Sequence, residues 1–394
     1  MKKSIVFVIP SLDAGGGEKS LVNLLNCIDF NQYEVDLILL NKKGIFLKSV
    51  PAEVNILELN EDYLIFTKNI KLAIVEFIKK GKLKLAFSRF MYALKLFSIQ
   101  NSGIAEQRSW KYIVKSIKLP FAKYDAAVGF LEKSSIYFII DCIEAKKKIG
   151  FIHNDYNKLN LDASIDEKYF RNLDVIATVS EECATVLKER FPDFLKKIKV
   201  IYNIVSEELI HKLALEKANI NKSVPIILSI GRLHPQKGFD LAIDAALILK
   251  ENNIHFQWLV IGEGEQRMEL TKRIKEKGLE KNFILLGLKE NPYPYLKAAT
   301  VYVQPSKYEG KSIAIDEAKI LNKPIIVTNF STAKDQIQSN VNGIITEMKP
   351  DALAIAISNL LDDNNLQTSL AENLSKEKLG TEDEINKIYQ LINE

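Results

Sequence analysis

The residues with the most chemical potential lie in the second half of the chain. The run Gly231-Arg232-Leu233-His234-Pro235-Gln236-Lys237-Gly238 sets two cations in a loop bounded by glycines. Further on, Pro305-Ser306-Lys307-Tyr308-Glu309-Gly310-Lys311-Ser312-Ile313-Ala314-Ile315-Asp316-Glu317 sets two glutamates with seven residues between them. A diphosphate is held by Arg, Lys, backbone amides and helix N-termini, and Arg offers a forked pair of donors. Hydroxyl groups suit carboxylates, which accept their hydrogen bonds. Arg232, Lys237, Glu309 and Glu317 together therefore suit a ligand that carries a diphosphate and several hydroxyls. Taken singly the signals are weaker, because Gly-Arg and Lys-Gly pairs are common in surface loops and the turn Gly262-Glu263-Gly264 has an equally good structural reading. The sub-string Gly310-Lys311-Ser312 is not a P-loop, because that motif needs a glycine where Pro305 stands. Ala14-Gly15-Gly16-Gly17-Glu18-Lys19-Ser20 is likewise not GxGxxG, since Ser20 replaces the last glycine. It remains a flexible turn able to approach a phosphate or an acceptor.

The elements that must position these residues read as alternating short apolar strands and amphipathic helices, the signature of parallel α/β units. Strands are expected near Ile5–Ile9, Val35–Leu40, Ala126–Phe130, Lys148–Ile152, Val175–Thr178 and Lys199–Ile201. The pattern restarts near Ile226–Ile230, Gln257–Ile261, Phe283–Leu286, Thr300–Gln304, Pro324–Val327 and Gly343–Ile345. The 231–238 loop, the 262–264 turn and the 305–310 loop each follow a strand, at the carboxyl edge where open α/β sheets bind ligands. Ser312 reads as the N-cap of a helix over Ser312–Leu321, and Gly310 allows close backbone approach. Among the four histidines, His153 stands out because it follows the strand Lys148–Ile152 in the same kind of edge loop.

A length of 394 residues favours two domains. The sequence places the first at 1–203, the second at 204–380, and a terminal helix at 381–394 that packs back on the first. With 47% hydrophobic and 26% charged residues the composition is that of a folded soluble chain, and a net charge of +4 does not indicate nucleic-acid binding. Cys27, Cys142 and Cys183 form no CxxC pair and fit a reducing cytoplasm. The apolar start Ile5–Ile9 ends at Pro10 without a cleavage site and reads as a strand rather than a signal peptide. There is no Asp-x-Asp and no His/Cys cluster with ligand spacing, so no metal or other cofactor is expected. Residues 62–123 interrupt the alternation with basic, aromatic helices. Two readings stand: an exposed insertion with a solvated face, or a surface that rests on an anionic membrane.

In order and spacing, the motifs resemble glycosyltransferase family 4, the retaining enzymes of the GT-B fold. Gly15-Gly16-Gly17-Glu18 matches that family's Gly-Gly-x-Glu turn, Gly231 to Gly238 its G-R-(x)4-K-G, and Ser306 to Glu317 its Ser-(x)2-Glu-Gly segment opening E-x7-E. The likeness spans nearly the whole chain except 62–123. It implies two Rossmann-like domains facing across a cleft, with the nucleotide-sugar donor, a UDP-sugar, bound by the second and a saccharide or lipid-linked acceptor by the first. It further implies that Glu309 contacts the donor sugar, Glu317 the ribose, and Arg232 and Lys237 the diphosphate. His153 would sit near the sugar's hydroxymethyl group. Gly16, Gly17, Gly231, Gly262, Gly310, Lys311, Ser312 and Ile313 would line the donor, and Gly287 and Leu288 would meet the base. Transfer would proceed on one face of the sugar with no protein nucleophile. Lys311 departs from the family's usual Glu-Gly-Phe-Gly-Leu, and either adds charge near the donor or points to solvent. The likeness suggests bacterial envelope or capsular polysaccharide synthesis, in the cytoplasm or peripherally on the membrane's inner face. Two alternatives stand beside it: a UDP-sugar epimerase with the same layout, and a non-catalytic binding or chaperone subunit.

Overall fold

A computed structural model describes residues 2–13, 15–118, 123–218, 220 and 223–393. Two parallel sheets organise the chain. The first runs β3-β2-β1-β4-β5-β6-β7, built from β1 (Lys3–Ile9), β2 (Tyr33–Leu39), β3 (Asn55–Leu57), β4 (Tyr124–Gly129), β5 (Ala145–Ile152), β6 (Val175–Thr178) and β7 (Ile198–Val200). The second runs β10-β9-β8-β11-β12-β13, from β8 (Ile226–Ile230), β9 (Gln257–Ile261), β10 (Phe283–Gly287), β11 (Val301–Gln304), β12 (Ile325–Thr328) and β13 (Ile344–Thr346). Each sheet starts in its middle and grows outward in both directions, the doubly wound order. The short strand β3 is an addition to the sequence-based expectation. Three residues in a polar setting are too few to reveal a period of two.

Alternation along the strands fills both faces of the second sheet. Ile227, Trp258, Val260, Val303 and Ile326 point into one layer with Phe239 and Leu353 of flanking helices. Ile226, Leu228, Leu259, Tyr302 and Val327 point into the other with Ile315 and Ala318. Fully buried strands with both faces covered explain why these runs are continuously apolar in the sequence. Trp258 keeps its indole N–H satisfied by donating to Ser229 Oγ at 3.0 Å, and that hydroxyl donates to the Val303 carbonyl at 2.7 Å.

By contacts, residues 1–13, 24–201 and 385–394 form one unit, and residues 14–23 and 202–384 the other. This differs from a plain division near 203/204. Helix α1 (Gly16–Asn26) follows a strand of the first sheet, yet its opening turns group with the second unit. The helix Ile385–Asn393 groups with the first, where Tyr389 stacks on Tyr33 with ring centroids 4.6 Å apart and accepts a hydrogen bond from the Asp29 N–H at 2.8 Å.

Among the described residues four α-helices lie between β3 and β4: α2 (Glu61–Thr67), α3 (Ile70–Lys79), α4 (Leu83–Ser98) and α5 (Ser102–Ile113). Asn69 and Asn101 cap α3 and α5 by accepting from the Lys71 and Ile104 amides. Ile65, Phe66, Ala73, Phe77 and Ala86 form a small core of their own. The outer face of α4 is apolar and uncovered: Leu83, Phe87, Phe90, Leu94 and Phe97, at alternating spacings of four and three, are 65%, 66%, 50%, 46% and 87% exposed. Leu72, Val75 and Ile78 of α3 are exposed as well. Among the described residues no helix is long and apolar enough to cross a membrane.

Candidate active site

Three loops meet at the carboxyl edge of the second sheet. The Gly231 and Leu233 amides donate to the Ile261 and Glu263 carbonyls at 3.0 and 2.9 Å, and the Gly262 amide to the Gly287 carbonyl at 3.0 Å. Two glycines are required by this stacking. Gly238 has φ +66°, and a Cβ there would lie 1.9 Å from the Pro305 carbonyl oxygen; Gly262 has φ +156°, with a Cβ 1.9 Å from the Gly231 oxygen. Any side chain would combine backbone strain with collision and drive the loops apart. Glycine at 231 has a different use, since the Lys237 stem lies over its α-carbon, 3.3 Å from where a Cβ would be.

That arrangement aims Lys237 at the first signature glutamate. Lys237 Nζ lies 2.6 Å from Glu309 Oε1, which also accepts from Ser306 Oγ at 2.6 Å and from Gln304 Nε2 at 2.8 Å. All three donors converge on Oε1, and Oε2 accepts from none of them. Gln304 is itself held by the buried Tyr302 hydroxyl, whose pKa burial keeps well above the usual phenol range. Glu309 is therefore anchored through one oxygen on a buried network, and the other takes no part in it. Arg232 is exposed on the same loop, and among the described residues it enters no ion pair. Burial and the Arg232 charge hold the neighbouring His234 below its ordinary pKa.

Glu317, on the helix Ile313–Ile320, is 1% exposed. It repeats the one-oxygen pattern. Tyr293 donates to Oε1 at 3.0 Å, and Lys19 of α1 pairs with the same oxygen while its ammonium sits 4.8 Å above the Tyr293 ring. Burial by itself would lower the Lys19 pKa, but the Glu317 carboxylate and Tyr293 outweigh it and hold the ammonium well above its ordinary range. The opening of α1 is tied down further by Ser20, which donates to Asn203 Oδ1 at 2.7 Å, and Asn203 Nδ2 reaches the Lys311 carbonyl at 3.3 Å. This arrangement places Gly16 and Gly17, at the first turn of α1, in the same unit as the signature helix.

Two details differ from the expectation. Ser312 precedes the helix but its side chain makes no capping bond. Gln336 does that work instead, accepting from the Ser312 amide and donating to the Ser312 carbonyl, both at 2.8 Å, and to Asp316 Oδ1 at 2.8 Å. Lys311 neither points to solvent nor reaches the glutamates: its ammonium lies 4.4 Å from the Tyr202 ring centroid and 3.6 Å from Asp316. Gly310 and Ile313 are buried beside them, Gly287 (φ +71°) closes β10, and Leu288 is 38% exposed. Sequence reasoning did not single out Lys19, Tyr293, Gln304 or Gln336. Only Lys19 left a trace, standing in the glycine-rich turn already noted.

His153 belongs to the first unit and is 7% exposed. Its ring packs against both Phe130 and Phe151, with centroids 4.9 and 5.6 Å away, and Nε2 is buried without a partner. Burial lowers its pKa to about 4, so the imidazole is neutral at neutral pH. Among the described residues no group of three or more His, Cys, Asp or Glu could hold a metal ion.

Residues 212–377 match the family model for glycosyl transferases group 1. An N-acetylgalactosamine-N,N'-diacetylbacillosaminyl-diphospho-undecaprenol 4-alpha-N-acetylgalactosaminyltransferase of Campylobacter jejuni is 25% identical over 93% of this chain and 92% of its own. An uncharacterized glycosyltransferase of Methanocaldococcus jannaschii is 30% identical over 43% of each chain. Staphylococcus aureus TarM, in complex with fondaparinux, alpha-GlcNAc-glycerol and UDP, superposes with TM-score 0.70 at 17% identity over 100% of both chains. Anabaena HepE, in complex with UDP and glucose, gives 0.68 at 16% identity over 99% of both. The chain is a glycosyltransferase with the GT-B fold. Within this glycosyltransferase the family match covers Arg232, Lys237, Glu309 and Glu317, and lies outside Lys19, His153 and the α2–α5 insertion.

Proposed function

We propose that this glycosyltransferase moves a hexose-type sugar from a UDP-sugar to a saccharide or lipid-linked acceptor with retention of configuration, in bacterial envelope or capsular polysaccharide synthesis. The observation that carries the reading is Glu309, fixed through Oε1 by Lys237, Ser306 and Gln304 with Oε2 left over. In this reading Oε2 accepts from donor-sugar hydroxyls, while Glu317 holds the ribose from a carboxylate already positioned by Lys19 and Tyr293. Arg232, which pairs with no acid among the described residues, and Lys237 meet the diphosphate. Their charge counts most as the bond from the sugar's anomeric carbon to the phosphate oxygen breaks and charge builds on the leaving group. The acceptor oxygen bonds to the same carbon from the same face, and its proton passes to the departing phosphate. Those cations supply the electrostatic stabilisation that a metal gives in other transferases. His153 offers an unpartnered Nε2 to a sugar hydroxyl. UDP in the solved relatives and diphospho-undecaprenol in the Campylobacter relative's name favour this donor and a lipid-linked acceptor.

We assign the α3–α4 face to an anionic bilayer surface. Its exposed Leu and Phe side chains are flanked by Lys71, Lys79, Lys80, Lys82, Lys84 and Lys95, which is the chemistry of an interfacial helix.

The central test is calorimetric titration of UDP into wild type and Arg232→Ala. Loss of charge-assisted hydrogen bonds should weaken UDP by roughly tenfold to a hundredfold. Equal affinity in both proteins would refute the diphosphate assignment. Incubation with UDP-GlcNAc and no acceptor separates the epimerase alternative, since an epimerase alone yields a rearranged sugar.

A further inference from the structure

The first unit carries a third glutamate held through a single oxygen. Glu132 lies in the loop between β4 and α6 (Ser134–Cys142), at the carboxyl edge of the sheet, and is 8% exposed. Asn154, next to His153 in the loop after β5, donates to Glu132 Oε1 at 3.0 Å, and among the described residues no donor reaches Oε2. Nor does any described cation pair with it. The one next along the chain, Lys133, is drawn away to α5, where its Nζ lies 2.5 Å from Glu106 Oε2. Lys133 holds φ +66°, a left-handed value that a β-carbon disfavours, so the loop keeps this arrangement against local preference.

Beside Glu132 on this edge stands the neutral imidazole of His153. The ring donates to the Phe130 carbonyl, and Nε2 is the nitrogen without a partner. The proton therefore sits on Nδ1, and Nε2 presents a bare lone pair. The Glu132 charge acts on that ring, opposing the larger effect of burial. Two groups that only accept hydrogen bonds thus share the edge, and one of them is an acid without a counter-charge. A nearly buried carboxylate in that state is costly to keep. A ligand that brings hydroxyl hydrogens satisfies both groups. An anion satisfies neither, because it sets a like charge beside Glu132 and leaves both acceptors unserved.

We infer that Glu132 is a specificity-determining residue of the transfer, which with His153 receives the hydroxyls of a neutral hexose and turns away a hexose that carries a carboxylate. The inference rests on the proposed function, from which it takes the sugar hydroxyl at His153, and it narrows the transferred sugar to the neutral class.

The test titrates sugar nucleotides into the full chain by calorimetry, in matched pairs: UDP-glucose against UDP-glucuronate, UDP-galactose against UDP-galacturonate, and UDP-N-acetylglucosamine against its C6 acid. In wild type the neutral member of the best-bound pair should bind about tenfold to a hundredfold more tightly than its acid. Glu132→Gln, which keeps the shape and removes the charge, should cut that ratio to about threefold or less, chiefly by tightening the acid. Glu106→Gln leaves Glu132 in place but frees Lys133 to neutralise it, and should narrow the ratio in the same direction. UDP itself should bind all three proteins alike. A wild-type ratio under about threefold in every pair overturns the inference. So does a ratio indifferent to Glu132→Gln in a protein that melts like wild type. Should Glu132→Gln fail to fold, an unchanged ratio in Glu106→Gln overturns it equally. Normal UDP binding beside any of these results confines the failure to the charge-sorting role of Glu132. UDP that does not bind wild type removes the donor reading underneath it.

Discussion

Replacing Lys19 by methionine isolates one contact of the proposed donor site. The substitution keeps the aliphatic stem and removes the ammonium, so Glu317, at 1% exposure, retains only the Tyr293 hydroxyl among its two donors. Stripping one partner from a buried ion pair costs about 3–5 kcal/mol, because the remaining charge is left desolvated. Lys19 keeps 18% of its side chain exposed, so water relieves part of that penalty and about 3 kcal/mol is expected. In a unit of this size each kcal/mol shifts the melting temperature by about 2–4 °C, which gives a fall of about 6–12 °C. The double variant Lys19→Met, Glu317→Gln removes the stranded charge and should recover most of the loss, with a coupling of about 2 kcal/mol in a double-mutant cycle. The pH behaviour has a definite sign. Because the Glu317 carboxylate and Tyr293 raise the Lys19 pKa against burial, the pair's contribution is fully present below the ordinary lysine value of 10.5 and fades only as pH rises beyond it. The difference between wild type and Lys19→Met should therefore stay constant from pH 6 to pH 9. Urea unfolding of the four proteins measures all of this. A single-variant loss under about 1 kcal/mol, with additivity within about 0.5, would show that the pair is not coupled and that this reasoning fails.

Glu309→Gln should leave UDP affinity within about threefold, since the nucleotide does not need Oε2, yet lower transfer by roughly a hundredfold or more, as radiolabelled-sugar transfer would report. His153 is buried neutral, with its pKa lowered to about 4 against an unfolded value of 6.5. Its contribution is thus present above pH 6.5 and lost as pH falls toward 4, by about 3 kcal/mol in full. His153→Asn should accordingly lose less stability than wild type between pH 7 and pH 5 in paired thermal melts. The protein should co-sediment with vesicles rich in phosphatidylglycerol, release as salt rises, and bind weakly as Phe87→Asp, Phe97→Asp; equal sedimentation of that variant would remove the membrane assignment.

Much of the fold could be read directly from the residues. Continuous apolar runs such as Ile226–Ile230 and Gln257–Ile261 imply parallel strands covered on both faces, and the glycine loops after them mark the ligand edge. That logic located twelve of the thirteen strands among the described residues, and the Gly238 turn, whose left-handed φ only glycine adopts cheaply. Strand β3 escaped because periodicity needs length. The capping role of Ser312 was misread because a local rule cannot see Gln336 arriving from 24 residues away.

The candidate site divides along the same line. Spacing alone placed Arg232, Lys237 and Glu309 in strand-end loops, which gather at one edge of a doubly wound sheet by construction, and Glu317 on the helix that follows. Only the tertiary structure decided that both acids are gripped through a single oxygen, that Lys19 and Tyr293 are the grip on Glu317, and that the insertion turns six large apolar side chains of α4 outward. Each of these depends on side chains far apart in the sequence arriving at one point, and local propensity carries no information about which distant partner the packed chain will deliver.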